Sequence, residues 1–567
     1  MRSRTPSLAD IDPPMRRNPD RFMAAARFLA VVGLASLWAG GCSDGADKAS
    51  SSGKTAKEWR QAAVERPRRI IVNNDGNEPV MIIREPTAEA LLAPRVGPLA
   101  GTQVDSLFYC TWSSGFGLFT HFTKVGQVFT SRADRHANNQ MAALREAGID
   151  PLRVMNEYAR AHGMEFFWSM RMNDNHDGYA DKYGPALFEA NELKMAHPEY
   201  LLGARGQKLA FGSWSAVNYA RPEIRDLAFR YVEEVCQNYD IDGVELDFFR
   251  HPVFFPSTTR GEVATAEELE MMTGLLRRIR AMADEAGRRC GRPILIAVRV
   301  PDSVAYAKAV GLDLETWLSD DLADLLIVGG YFRLNDWERS VELARRHGVK
   351  VYASLDDARV ADPDGLRPSQ RMTDAAYRGR AAVARAAGVD GLYFFNQFNP
   401  RRPIWREVGE AATLDRLDKD YFASVLGVGN TPMRSNLPLG GYRTVETLAP
   451  DAPRVLTAGQ PETASIRLAE PADSREDLRL DLRLRLGAPE ITPESLTVAC
   501  NDVILTDAKR DGAWLVYRLS AGSVRQGVNA VRVELKPGGV SSVSWLDLMV
   551  SARHVRGEAG ADLIHEN

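Results

Sequence analysis

The chain is poor in cysteine: five among 567 residues, none in a CxxC pair. That excludes a cysteine-built zinc site of the finger or ribbon kind. Cys110, Cys236, Cys290 and Cys500 lie far apart and read as buried thiols, with no pairing legible from the sequence. Neither sign of charge is in excess. Lys and Arg number 71 against 75 Asp and Glu, for a net charge of -4. A nucleic-acid-binding protein presents a basic face, and here arginine is only scattered, so no nucleic-acid partner is expected. The N-terminal apolar run, residues 28–39, has 12 residues. A membrane-spanning helix needs about 20. What is present is ordinary for a folded protein: 45 % hydrophobic and 26 % charged residues. The length suggests two or three folded units.

Arg16, Arg17, Arg21 and Arg27 precede that short apolar run, and Ala39-Gly40-Gly41-Cys42 follows it. A basic end, a short apolar core and small residues make a secretory signal. The cysteine directly after them resembles a bacterial lipoprotein signal, with Cys42 as the lipidated residue. This predicts a signal peptide over 1–42 and a lipid-anchored protein of the cell envelope, with simple secretion as the alternative. Residues 43–67, small and polar at first, read as a tether.

From 68 to 425 short apolar runs alternate with helical stretches. The runs are RIIVNND, DSLFYCTW, MEFFWSMRMND, DGVELDFF, ILIAVRV, DLLIVGGYF, KVYASLD and DGLYFFNQF. Helical patterns separate most of them. One, from Thr265, opens with a capping box completed by Glu268, and others stop at glycine. Eight strand–helix repeats predict an α/β fold, a (β/α)8 barrel. An open doubly wound sheet is the competitor. From 430 to 555 the period changes. LRLDLRLRL alternates leucine with charge, and regular short strands follow without helices, which predicts a smaller all-β sandwich. Residues 556–567 read as a tail.

Polar residues gather at the C-terminal ends of the first eight runs, where a barrel builds its active site. In DGVELDFFRHP, side chains alternate, so Val244, Leu246 and Phe248 share an apolar face. Glu245 and Asp247 share the other and point into the barrel, with Arg250 and Arg171 as counter-ions. For Glu245 an internal salt bridge is an equally good reading. DGVELDFFRHP, preceded by Pro222-Glu223-Ile224-Arg225, resembles the bacterial glycoside hydrolase family 10-like barrel proteins. Their strand of the form D-G-[IV]-x-x-D-x-x-R-x-P corresponds to Asp242, Gly243, Val244, Asp247, Arg250 and Pro252. GIDPLRVMNEYARAHGMEFFWSMRMND adds a second similar stretch. The resemblance covers roughly 70–400 and implies a barrel acting on carbohydrate. Where many relatives carry a second acid or a tyrosine after the aspartate, this chain has Phe248 and Phe249.

Glycoside hydrolysis uses two carboxyl groups, one to protonate the leaving oxygen and one as nucleophile or base. Asp247 is the first candidate. Asp356 on the seventh run shares an inward face with Tyr352 and Ser354, and Glu245 is a third. Sugar-binding candidates are Arg171, Asn173, Asp174 and His176 on the third run's loop, together with Asn74, Trp112, Arg250, Arg299, Tyr331 and Asn396. Planar amides, carboxylates and guanidinium groups pair with hydroxyls. Asp174, His176 and Asp177 could hold a metal, but they crowd on one loop with no second histidine motif, and no metal or other cofactor is expected. The function expected is an envelope-attached glycoside hydrolase of a poly- or oligosaccharide. The alternatives are a non-catalytic glycan-binding lipoprotein and a metal-dependent hydrolase. The sandwich aromatics Trp514, Tyr517 and Trp545 are a thin set for sugar binding, and a bracing role is expected.

Overall fold

The computed structural model describes residues 55–555, apart from 112–113, 359, 366–368, 427–438 and 471–476. Cys42, Trp112 and the tail lie outside the described residues.

Eight parallel strands close into a barrel. They are β1 (Ile70–Asn74), β2 (Val104–Cys110), β3 (Glu165–Arg171), β4 (Gly243–Asp247), β5 (Leu295–Val300), β6 (Leu325–Val328), β7 (Lys350–Ser354) and β8 (Gly391–Phe394). Each pairs with its sequence neighbours, and β8 closes on β1 through Ile70 opposite Leu392. All eight runs read from the sequence are these strands. Closure rather than an open sheet follows from that last pairing. Close approach at the seam requires glycine: a Cβ on Gly391 would stand 2.0 Å from the Arg68 carbonyl oxygen.

The helix Ala266–Cys290 carries the expected capping box. Glu268 N–H donates to Thr265 Oγ1 at 3.2 Å, and Thr265 N–H donates to Glu268 Oε2 at 2.8 Å. The helix stops at Gly291, whose φ of 69° suits glycine. Its apolar face, with Leu276, Ile279 and Ala283, is buried.

Two stretches differ from expectation. Part of the tether is a helix, Ala56–Val64, started by a capping box between Thr55 and Glu58. Arg60 fixes it: the guanidinium is buried against Asp284 at 3.0 Å and Asp324 at 2.8 Å. A polar composition hid a helix whose anchor is an ion-pair cluster, not an apolar stripe. The strand Lys419–Phe422, which falls in the segment read as barrel, pairs with Ser542–His554 and belongs to the β domain.

That domain has two antiparallel sheets, with a core that includes Leu482, Leu484, Val531, Val533 and Trp545. Trp514, Tyr517 and Trp545 are all buried, so none offers a sugar platform. The domain braces the barrel. Arg371, fully buried, reaches Asp547 at 2.6 Å and lies 4.4 Å from the centre of the Phe422 ring. Among the described residues no helix is long and apolar enough to cross a membrane.

Candidate active site

Strand register sets the site. Arg171, Asp247 and Arg299 stand side by side at the C-terminal ends of β3, β4 and β5. One pleat lower, Ser169 and Ala297 flank Glu245. Parity holds as expected: the apolar face of β4 is buried against the helices, and both acids face the lumen.

Arg299 organises the upper layer. Its Nη1 donates to Asp247 Oδ2 at 3.1 Å, and its Nη2 donates to Asp356 Oδ2 at 2.8 Å. All three side chains are 0 % exposed. The guanidinium lies 4.0 Å from the centre of the Phe395 ring and 5.3 Å from that of Phe249. Asp247 Oδ1 accepts the N–H groups of Phe249 and Arg250, each at 3.0 Å. Asp356 also accepts the Ser354 hydroxyl. Asp247, on β4, and Asp356, just beyond β7, therefore meet on one buried cation. The counter-ion of Asp247 is Arg299, and Arg250 contributes only its backbone N–H.

Glu245 is the lower carboxyl. Its Oε2 accepts Asn73 Nδ2 at 2.8 Å and the Ser169 hydroxyl, and the Tyr393 hydroxyl stands beside the carboxyl. Burial, with the nearby charge of Asp247, pushes its pKa up to about 7. No salt bridge holds it among the described residues, which removes the alternative read from sequence. The buried ion pair at the barrel floor is Arg68 with Glu165, at 2.6 Å.

The third strand's loop forms the rim. Asp174 accepts His176 Nδ1 at 2.9 Å, and His176 Nε2 faces Arg250 Nη2 at 2.6 Å. A guanidinium only donates. His176 Nε2 must therefore accept, which puts the imidazole proton on Nδ1, toward Asp174. Burial and the charge of Arg250 hold His176 below its usual pKa, in keeping with a neutral ring. Burial opposes ionisation of Asp174, but the bond from His176 and the charge of Arg171 outweigh it and hold its pKa well below the carboxylate range. Arg171 also bonds Asp75. His251, which the sequence reading passed over, packs edge-on against His176 with ring centres 4.9 Å apart.

Ligand atoms of Asp174, His176 and His251 lie within 4.8 Å of one another. Both nitrogens of His176 are already used, however: Asp174, His176 and Arg250 form a hydrogen-bonded relay, with His251 outside it. Asp177 is engaged elsewhere, with Lys194 at 2.8 Å, both fully buried.

Other candidates have structural partners. Asn173 spends its amide on Val217 N, Val217 O and Val253 O, tying two loops together. Asn74 bonds Glu78 and Gly76 and no member of the acid cluster. Asn396, in the left-handed region at φ 60°, donates to the Tyr331 hydroxyl at 3.3 Å. Tyr331 lies beneath Arg250, whose guanidinium is 4.9 Å from the ring centre. Asn73, one of the polar residues that end the first run, and Ser169, which carries no motif, both bond Glu245. Both were readable by parity, as polar residues on lumen-facing positions of β1 and β3.

The family model described as glycosyl hydrolase-like 10 matches residues 93–267, which include β2, β3 and β4. No curated protein matches the sequence. Solved structures similar to the chain include a cycloisomaltooligosaccharide glucanotransferase from Paenibacillus sp., at 9 % identity and a TM-score of 0.32, covering 85 % of this chain and 57 % of that one. The chain thus spans less than two thirds of that enzyme's length. Another is the PgaB (BpsB) glycoside hydrolase domain from Bordetella bronchiseptica, at 10 % identity and a TM-score of 0.38, covering 61 % of this chain and 99 % of that one. A third is a family 18 N-acetylglucosaminidase from Paenibacillus barengoltzii, at 13 % identity and a TM-score of 0.31, covering 61 % and 98 %. Over residues 93–267, on a closed eight-stranded barrel, this chain matches the glycosyl hydrolase-like 10 family.

Proposed function

We propose that the protein is a glycoside hydrolase that cleaves a poly- or oligosaccharide at the barrel mouth, held at the cell envelope by a lipid on Cys42. One observation carries the catalytic part: carboxylates from β4 and from the end of β7 converge on Arg299, above a carboxyl that titrates near neutrality. Environments that push neighbouring carboxyls apart in pKa assign acid and base roles. Arg299 holds the Asp247 and Asp356 carboxylates by direct hydrogen bonds. Those anions suit the positive charge that develops on the sugar ring. Glu245, neutral through much of the range below pH 7, is the proton store of the cluster.

The complete burial of Asp247 and Asp356 favours a second reading, a glycan-binding protein on the same scaffold. Release of reducing ends from a glycan panel by the full chain decides between them. Hydrolysis of at least one member supports the proposal. Binding with no release from any member supports the second reading and overturns the first.

A further inference from the structure

Arg250 stands apart from the other rim cations. Arg171 is matched by Asp75 and Asp174, and Arg299 by Asp247 and Asp356. Among the described residues no carboxylate lies within ion-pair distance of Arg250. Its Nη2 is held from behind by His176, which is itself oriented by Asp174. Its plane is supported by the Tyr331 ring. The remaining donors are unused: Nε is buried without a partner, and Nη1 makes no hydrogen bond to the described residues.

Two further buried nitrogens of this rim cluster also lack partners. His251 is 7 % exposed and has no partner for Nδ1; Arg171 is 6 % exposed and has none for Nε. Tyr179, 37 % exposed, follows His176 on the same loop, its N–H bonded to the His176 carbonyl oxygen at 3.1 Å. A fixed guanidinium with free donors, beside an exposed aromatic face, fits a sugar ring that carries a carboxylate. Fixing the cation in advance reduces the ordering cost of binding. Planar donors match a carboxylate in two parallel bonds.

We propose that the rim at Arg250 is a subsite for a uronic acid, so that the substrate is an acidic glycan. This rests on the barrel mouth being the carbohydrate site. The relay from Asp174 through His176 then has a purpose: it points the guanidinium outward and keeps it from collapsing onto Asp174.

The test is calorimetric binding by the full chain of oligogalacturonate and oligoglucuronate, each against its carboxyl-reduced counterpart, with sulfated galactan fragments as a third arm. The acidic forms are expected to bind about tenfold or more tightly than the reduced forms, since the bond lost is charge-assisted. The preference should shrink with added salt. It should disappear in Arg250→Gln and survive in part in Arg250→Lys. Equal affinity for acidic and reduced forms, no binding of any acidic form, or binding of sulfated fragments alone overturns the inference. The wild-type comparison stands even if a variant fails to fold. Release of neutral sugars without acidic preference would overturn this inference and leave the hydrolase reading intact. Arg250-dependent uronate binding without hydrolysis would sustain it and overturn the hydrolase reading.

Discussion

Replacing Glu245 with glutamine should make the protein more stable at alkaline pH and leave it unchanged in acid. The side chain is fully buried, and burial is the main cause of its raised pKa, about 7 against an ordinary 4.5. Between those values the folded chain keeps a proton that the unfolded chain releases. Stability therefore falls as pH rises through that window. At about 1.4 kcal/mol per pH unit, the loss by pH 8 is about 3 kcal/mol. Glutamine is isosteric, stays neutral, and keeps an oxygen for Ser169 and Asn73. Urea unfolding of both proteins from pH 4.5 to 8, followed by tryptophan fluorescence, measures the gap. The two should coincide near pH 4.5, and the variant should lead by about 3 kcal/mol at pH 8. A gap that stays constant with pH, or a wild type that gains stability through the window, refutes the reasoning. A gain in stability combined with a loss of turnover would mark Glu245 as kept for function.

Three further outcomes follow from the same contacts. Arg299→Met leaves two buried carboxylates without their cation and should cost about 3–5 kcal/mol at pH 8; the deficit should narrow as pH falls, because a buried unpaired carboxyl is more easily kept protonated, and melting curves at two pH values check this. Arg371→Met breaks the buried pair with Asp547 and should cost a similar amount, about 3–5 kcal/mol, with limited proteolysis reporting release of the β domain from the barrel. Gly391→Ala forces a methyl group against the Arg68 carbonyl at the barrel seam and should cost about 1–3 kcal/mol or more, read as a lowered Tm.

The barrel was legible because its strands are short, apolar and separated by helices with clear stops. The inward direction of Glu245 and Asp247 was legible from alternation alone, since it needs only the identity of the apolar face. What parity does not carry is which partner each acid takes. Arg250 and Arg171 stand nearest in the sequence motif or the loop, yet Arg299 binds Asp247 because β5 sits in register beside it. Asp356 joins the same guanidinium from across the lumen, a contact set by closure of the ring. His251 escaped notice because a lone histidine beside a proline carries no spacing signal; only folding brings it to His176. The helix at Ala56–Val64 escaped for a different reason. Its stabilising contacts are ion pairs to Asp284, Asp321 and Asp324, more than 200 residues away.

The central claim is that Asp247 takes part in bond cleavage. The direct measurement is turnover and binding by Asp247→Asn on whichever glycan the wild type cleaves. The account predicts a fall in kcat of about a thousandfold or more, equivalent to about 4 kcal/mol of barrier, with affinity for the glycan retained. Undiminished kcat in a folded Asp247→Asn protein would contradict it.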